Sequence, residues 1–377
     1  MPHITALTLT NFRNYDSATV SGLDNGFIIL IGDNGAGKTN CLEAISFLAP
    51  GRGLRGSSVS ECRTNNAKSP WVVSAQIKHD DGELSRLGVG QDPQKTEKKI
   101  IRLDGTPIKS QTELGDVFRA IWLTPQMDGL FLQGASERRR FFDRLVATFD
   151  PSHSGRLTRY EKATRERINI LKTAQDQKST PDHIWLTGLE AIMAETGIAL
   201  AAARIDLLEK IHDVIATTAI ESFPHTRITL DGEVETALQS QSALSVEDHF
   251  KQKLRDNRQG DAITGRTLYG THRTDMQATY QDKNQRAAQC STGEQKAMLT
   301  TIIMAHAILV KNRFGFPPVL LFDEVCAHFD EHRRDALFDI LGNLGGQIWM
   351  SGQDKKSFRS ILSNRLISIT KNQMEKM

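Results

Sequence analysis

Gly32-Asp33-Asn34-Gly35-Ala36-Gly37-Lys38-Thr39 satisfies the pattern G-x-x-x-x-G-K-[ST] at every fixed position. Such a string can cradle a triphosphate. Its glycines let successive backbone N–H groups turn inward, and a helix starting at its end adds partial positive charge; Lys38 reaches the terminal phosphates while Thr39 offers a hydroxyl to Mg²⁺. Far downstream, Val319-Leu320-Leu321-Phe322 delivers Asp323 to the Mg²⁺ shell and Glu324 to a position from which a carboxylate polarises an attacking water. Gln126 follows the apolar run 120–124 and Pro125; it is either a Mg²⁺ ligand through its amide carbonyl or an ordinary loop glutamine. Arg13, within Asn11-Phe12-Arg13-Asn14-Tyr15, either meets a base or phosphate or belongs to a surface turn with the two aromatics packed beneath it. Ser291 and Glu294 are spaced as a capping box, yet Gly293 is a poor first-turn residue unless something approaches the backbone closely, and a helix N-terminus with a serine is also an anion site.

Local patterns supply the elements that would carry these groups. Residues 27–31 are a short β-branched run expected as a buried parallel strand, and Leu42, Ile45 and Leu48 then recur at helical spacing, so strand, glycine loop and helix follow in order. Residues 7–10 alternate as a half-buried strand. So do residues 71–79, and 99–103 runs into the turn signal Asp104-Gly105, giving antiparallel strands and hairpins. The loop Pro50-Gly51-Arg52-Gly53-Leu54-Arg55-Gly56 either approaches phosphate or is a solvated connection. Residues 297–310 read as a strongly apolar helix, 337–341 as another, and 347–350 as a last core strand.

The chain of 377 residues, 39% hydrophobic, has ample material for a core. A net charge of +2 means that any attraction to nucleic acid must come from local clustering. Cys41, Cys62, Cys290 and Cys326 form no C-x-x-C pair, which argues against a zinc site or a disulfide framework. No apolar run approaches the roughly 20 residues needed to span a bilayer, and no signal segment opens the chain, so a cytoplasmic protein is expected.

Between residues 136 and 178, eleven Lys and Arg face six Asp and Glu. Ser136 is placed to cap the first helix of this stretch. Arg159, Arg165 and Arg167 are candidates for DNA phosphate contacts, although such charge usually marks a solvated face. A second helical pattern follows the turn Ser179-Thr180-Pro181-Asp182, making an antiparallel pair. Helical from 182 to 221, it would run about 60 Å, with a bend or break expected near Gly197. Residues 227–230 resume a strand, 245–258 a short basic helix, and His272 lies in a polar turn without an assigned role. Strict heptads are absent, which excludes a long coiled coil.

The order of these pieces separates NTPase branches. An early P-loop, a long insertion, then Ser-x-Gly-Glu opening a helix just before the acidic strand is the layout of ABC-type ATPase heads. The expected fold is therefore α/β: an ABC-type ATPase head, with a P-loop sheet and an antiparallel β lobe, and an inserted helical arm domain. Boundaries are expected at 1–125 and 269–377 for the head and 126–268 for the arm.

The strings Asn11-Phe12-Arg13-Asn14-Tyr15, Gly32 to Thr39, Gly51-Arg52 with Arg55, Arg138-Arg139-Arg140-Phe141-Phe142-Asp143, and Gly270-Thr271-His272-Arg273-Thr274-Asp275 together resemble the RecF family from end to end. The resemblance implies a recombination and gap-repair protein that binds ATP and Mg²⁺ and dimerises head to head around two nucleotides. It further implies engagement of duplex DNA at single-strand gaps or junctions, and help to RecO and RecR in loading RecA. By the same resemblance Gln126 is the Q-loop residue, and Ser291 and Gly293 contact the γ-phosphate held by the other protomer. Three positions depart from the family pattern: Thr271 replaces a frequent proline, Ala327 the usual serine of Ala327-His328-Phe329-Asp330, and Phe329 a leucine. Ser351 stands where transport ATPases carry a switch histidine. Rival readings are an ABC-type subunit serving a nuclease, which would need a long coiled coil and a Cys hook, and one serving a membrane transporter, which the basic arm and the missing histidine oppose.

Overall fold

The apolar runs flanking the P-loop and the acidic pair assemble into one sheet. In the computed structural model, which describes residues 2–218, 222–327, 329–361, 365–370 and 373–376, its strand order is Gln373–Lys376, Arg365–Thr370, Gly26–Ile31, Gln347–Gly352, Val319–Phe322 and Ala120–Leu123. All neighbours are parallel except the first pair. Every residue of 120–123 and 319–322 is buried, with both faces of these strands covered, which is why they are apolar throughout instead of alternating. Parallel pairing has a consequence for chemistry. With Phe322 opposite Leu123 and Met350, and Ile31 opposite Gly352, four neighbouring strands end along one edge of the sheet, where Gly32, Thr124, Asp323 and Ser351 come together.

A second, antiparallel sheet runs Tyr15–Ser21, His3–Phe12, Val72–Lys78, Leu84–Gln91, Lys99–Leu103 and Thr106–Pro107. Its strands alternate buried and exposed residues, as a sheet with one covered face must. The covered face shares a core with the P-loop helix Lys38–Ser46, bringing Leu7, Leu9 and Val73 together with Leu42, Ile45 and Trp349.

The chain divides into two compact units, residues 1–129, 214–225 and 290–377 in the first, and 130–213 and 226–289 in the second. Both expected boundaries therefore move. Gln126 stays with the first unit. Residues 269–289 join the second because Asp275–Tyr280 pairs antiparallel with Thr226–Asp231, an association across more than forty residues that local patterning does not encode. The second unit is built on the helices Ala135–Phe149, Ser152–Asp176 and most of His183–Thr217, with Tyr160, Met193, Ala194, Ala201, Phe250 and Leu254 in its core.

Two local expectations are corrected. Helix Ala135–Phe149 has Gly134 as its N-cap, so Ser136 lies in the first turn and caps nothing. Helix His183–Thr217 runs 35 residues without a break at Gly197. That glycine serves packing: a Cβ there would lie 2.6 Å from the Phe250 ring and 3.2 Å from the Tyr160 ring. The expected end of this helix at residue 221 and the position of His328 lie outside the described residues. Among the described residues no helix is long and apolar enough to cross a membrane.

Candidate active site

The P-loop is shaped by clashes that only glycine avoids. A Cβ on Gly32 would run into the Ile369 carbonyl, and one on Gly37, whose φ is +115°, would lie 2.6 Å from the Tyr15 hydroxyl and 2.8 Å from the Asn14 amide. Tyr15 and Asn14 buttress the loop from behind, donating to the carbonyls of Gly37 at 3.0 Å and Ala36 at 3.4 Å. Burial accordingly pushes the Tyr15 phenol above its ordinary pKa. Phe12 is fully buried edge-on to Phe47 and Trp71. Both aromatics of the Asn11-to-Tyr15 string therefore support the cradle from below.

Arg13, a candidate nucleotide ligand, is engaged by side chains of its own unit. It grips the fully buried Glu43 carboxylate at 2.9 and 2.6 Å and also donates to Ser57 and the Glu61 carbonyl. Arg55 takes the same carboxylate at 2.6 Å. Through these bonds Arg13 ties the P-loop helix to residues 57–61.

Lys38 Nζ donates to the carbonyls of Gly32 at 2.6 Å and Asp33 at 2.9 Å, two bonds of the three an ammonium can make. Across the sheet edge, the Thr39 hydroxyl meets both oxygens of Asp323, at 3.0 and 2.9 Å. Ser351 Oγ donates to Asp323 Oδ1 at 2.6 Å and accepts the Glu324 N–H at 2.9 Å. Glu324 has φ +49°, a left-handed backbone uncommon in residues with a Cβ. Gln126 sits in the turn Pro125–Met127 and lines a cleft of about 200 Å³ with Thr39, Arg55, Asp323 and Glu324. A hydroxyl, one carboxylate and an amide carbonyl are hard oxygen donors that suit Mg²⁺ carried by phosphates, which needs only one or two protein carboxylates.

Two residues here carried no functional assignment from the sequence. Lys296 is buried, with Nζ 3.3 Å from Asp128 Oδ2 and 3.3 Å from the Glu324 carbonyl. The only sign of it is a lysine entering an apolar helix. Phe329, one of the departures, packs edge-on against Phe223 and under the Lys296 ammonium.

Helix Thr292–Phe314 begins with the expected capping box: the Ser291 hydroxyl accepts the Glu294 N–H, and the Glu294 carboxylate accepts the Ser291 N–H at 2.8 Å. The Ser291 hydroxyl pairs with Glu294, and among the described residues no hydrogen bond joins it to the P-loop of its own chain. A Cβ on Gly293 would have nothing within 4 Å.

The arginine candidates part company. Arg159 and Arg165 have side chains 55% and 66% exposed, with loose partners in Glu195 at 3.2 Å and Glu161 at 3.8 Å. Arg167 is fully buried, bound to Glu190 at 3.0 Å, Asp261 at 2.6 Å and the Leu254 carbonyl at 2.6 Å, and its assignment to DNA is withdrawn. Residues two apart on a helix point to nearly opposite sides, so Arg165 and Arg167 cannot share a face.

Two further strings are used inside the second unit. Arg138 clasps Asp275 at 2.8 and 2.6 Å, Arg139 donates to the Thr274 carbonyl, and Arg204 bridges Asp143 to the Thr271 carbonyl. His272 accepts at Nδ1 from the Tyr160 hydroxyl at 2.7 Å and donates from Nε2 to the Thr267 carbonyl at 2.8 Å. Burial, with Arg139, Arg273 and Arg204 nearby, lowers its pKa to about 4, which makes it neutral at pH 7.

The chain matches the family described as RecF/RecN/SMC N terminal domain over residues 3–377. It is 44% identical over 366 residues to the DNA replication and repair protein RecF of Rhizobium rhizogenes, covering 96% of each chain. Among solved structures, it superposes on the recombination mediator protein RecF-ATPrS in RecFOR pathway with a TM-score of 0.87 at 21% identity, covering 100% of this chain and 98% of that one. The Pyrococcus furiosus Smc head domain with an extended coiled coil, bound to the C-terminal domain of ScpA, gives 0.54 at 16% identity, covering 100% and 96%. At these identities the superpositions speak to fold, and the fold is the α/β head of the ABC and SMC type.

Proposed function

The chain belongs to the RecF family of DNA replication and repair proteins, and from that membership we propose an ATP-driven, DNA-binding clamp that acts at replication gaps in the cytoplasm. The observation that carries the ATPase part is the convergence of Lys38, Thr39, Gln126, Asp323 and Glu324 at one edge of the parallel sheet. Lys38 and the glycine loop bind the β and γ phosphates. Thr39, Asp323 and Gln126 would hold Mg²⁺, which would supply positive charge to offset that developing on the transferred phosphoryl group. Glu324 orients the attacking water and accepts its proton.

In this reading hydrolysis is weak and stimulated by DNA. The composite site is completed by Ser291 and Gly293 of a second copy, as the open space over Gly293 would allow. The head consists of the first unit, and the second is the arm that bears Arg159 and Arg165 toward phosphates. A solved relative is described as a mediator in the RecFOR pathway, and the partners proposed for this chain are RecO and RecR, with RecA loading as the outcome. Sedimentation velocity with ATP, with ADP and with gapped duplex tests this: dimers and DNA complexes should require ATP. A monomer under all three conditions would refute the clamp.

A further inference from the structure

We propose that Ser351 is a positioning residue whose single hydroxyl ties the metal-side carboxylate to the backbone of the general base, an inference that rests on the ATPase reading above. The polarity of the link is fixed. A backbone N–H can only donate, so the bond from Glu324 N uses a lone pair of Ser351 Oγ, and the one hydroxyl proton goes to Asp323 Oδ1. Asp323 Oδ1 also receives the Thr39 hydroxyl, so the four residues form one hydrogen-bonded chain: Glu324 N–H, Ser351 O–H, Asp323 carboxylate, Thr39 O–H. None of this is solvent-adjustable at its centre, because Ser351 is fully buried.

The link acts on the backbone of Glu324. Left-handed geometry is unfavourable for a residue with a Cβ and persists only where surrounding contacts over-determine it. Here the residue is gripped at both ends, its N–H by Ser351 and its carbonyl by the ammonium of Lys296 at 3.3 Å. The direction in which the Glu324 side chain leaves the strand edge follows from that backbone. The next residue, Gly352, packs so closely on the Phe358 ring that a Cβ there would run into it. A serine at the position of a switch histidine thus aligns the base with the metal-side carboxylate through contacts within its own chain. Misplacing a catalytic group by about 1 Å can cost roughly a hundredfold in rate.

The test uses the full chain and Ser351→Ala, with Ser351→Cys as a second variant of similar volume that makes only weak hydrogen bonds. Expected are a fall in kcat of about 10- to 100-fold, ATP affinity measured without Mg²⁺ within about twofold of wild type, and faster hydrogen exchange at the Glu324 amide. Adding Ser351→Ala to Glu324→Gln should cost nothing further, because the serine works through the glutamate. Unchanged kcat, unchanged amide exchange, or losses that multiply in the double variant would each overturn the inference. If wild-type protein does not hydrolyse ATP, the ATPase reading fails instead, and amide exchange still decides whether Ser351 holds Glu324.

Discussion

Replacing Arg167 by alanine should unfold the second unit's core far more readily than it should disturb DNA. The guanidinium is fully buried between Glu190 and Asp261, whose side chains are 1% and 0% exposed. Glu190 keeps a second partner, Arg258, at 2.5 Å. Asp261 Oδ2 loses its charged partner and the Leu254 carbonyl its donor, while Oδ1 retains only the Leu268 N–H. Removing one member of a buried ion group costs about 3–5 kcal/mol, mostly because the opposite charge is left without compensation. At about 2–4 °C per kcal/mol, the melting temperature should drop roughly 6–20 °C. Arg165→Ala, with a mostly exposed side chain, should stay within about 0.5 kcal/mol of wild type. Salt titration of DNA affinity supplies the opposite readout: Arg165→Ala should flatten the log–log slope by up to about 1, and Arg167→Ala, assayed well below its melting point, should not. A melting temperature for Arg167→Ala within about 2 °C of wild type, the scale of a surface change, would refute the burial argument.

Lys38→Ala should abolish ATP binding in a folded protein, whereas Glu324→Gln should keep binding and slow turnover by about two orders of magnitude or more; isothermal titration and phosphate release separate the two. Ser291→Arg should bind ATP as a monomer yet fail to dimerise, and an ATP-dependent dimer by light scattering would leave Ser291 as a helix cap only. For His272 the folded pKa of about 4 lies below the ordinary 6.5, so the unfolded chain binds the extra proton. Stability from this group is fully present above about pH 6.5 and is lost as pH falls toward 4, by up to about 3 kcal/mol. Urea unfolding of His272→Gln across that window should show a flatter profile than wild type; an identical slope would remove His272 as the cause. For Asp143, where Arg204 and His153 outweigh burial and hold the carboxyl well below its usual range, the stabilisation is fully present above the ordinary carboxylate pKa and is lost only as pH falls below it.

What the sequence determined by itself was local or periodic. Residues 32–39 specify their loop because positive φ and close backbone approach leave only glycine at Gly32, Gly35 and Gly37. The continuous apolar runs before Gly32 and Asp323 announce a parallel sheet covered on both faces, and parallel strands necessarily deliver their exits to one edge. The Ser291 and Glu294 cap needed only a spacing of three. The tertiary structure decided which charges are available, because burial and pairing join residues far apart in the chain. Residue type cannot tell Arg165 from Arg167, and the difference arises only when Asp261, 94 positions away, folds against one of them. Arg13 is taken up by Glu43 across 30 positions, and Gly197 turns from a suspected break into a packing contact only once Phe250 arrives. Ser351 and Asp323, 28 positions apart, share a hydrogen bond because adjacent parallel strands end together, and that register belongs to the sheet and to neither segment alone.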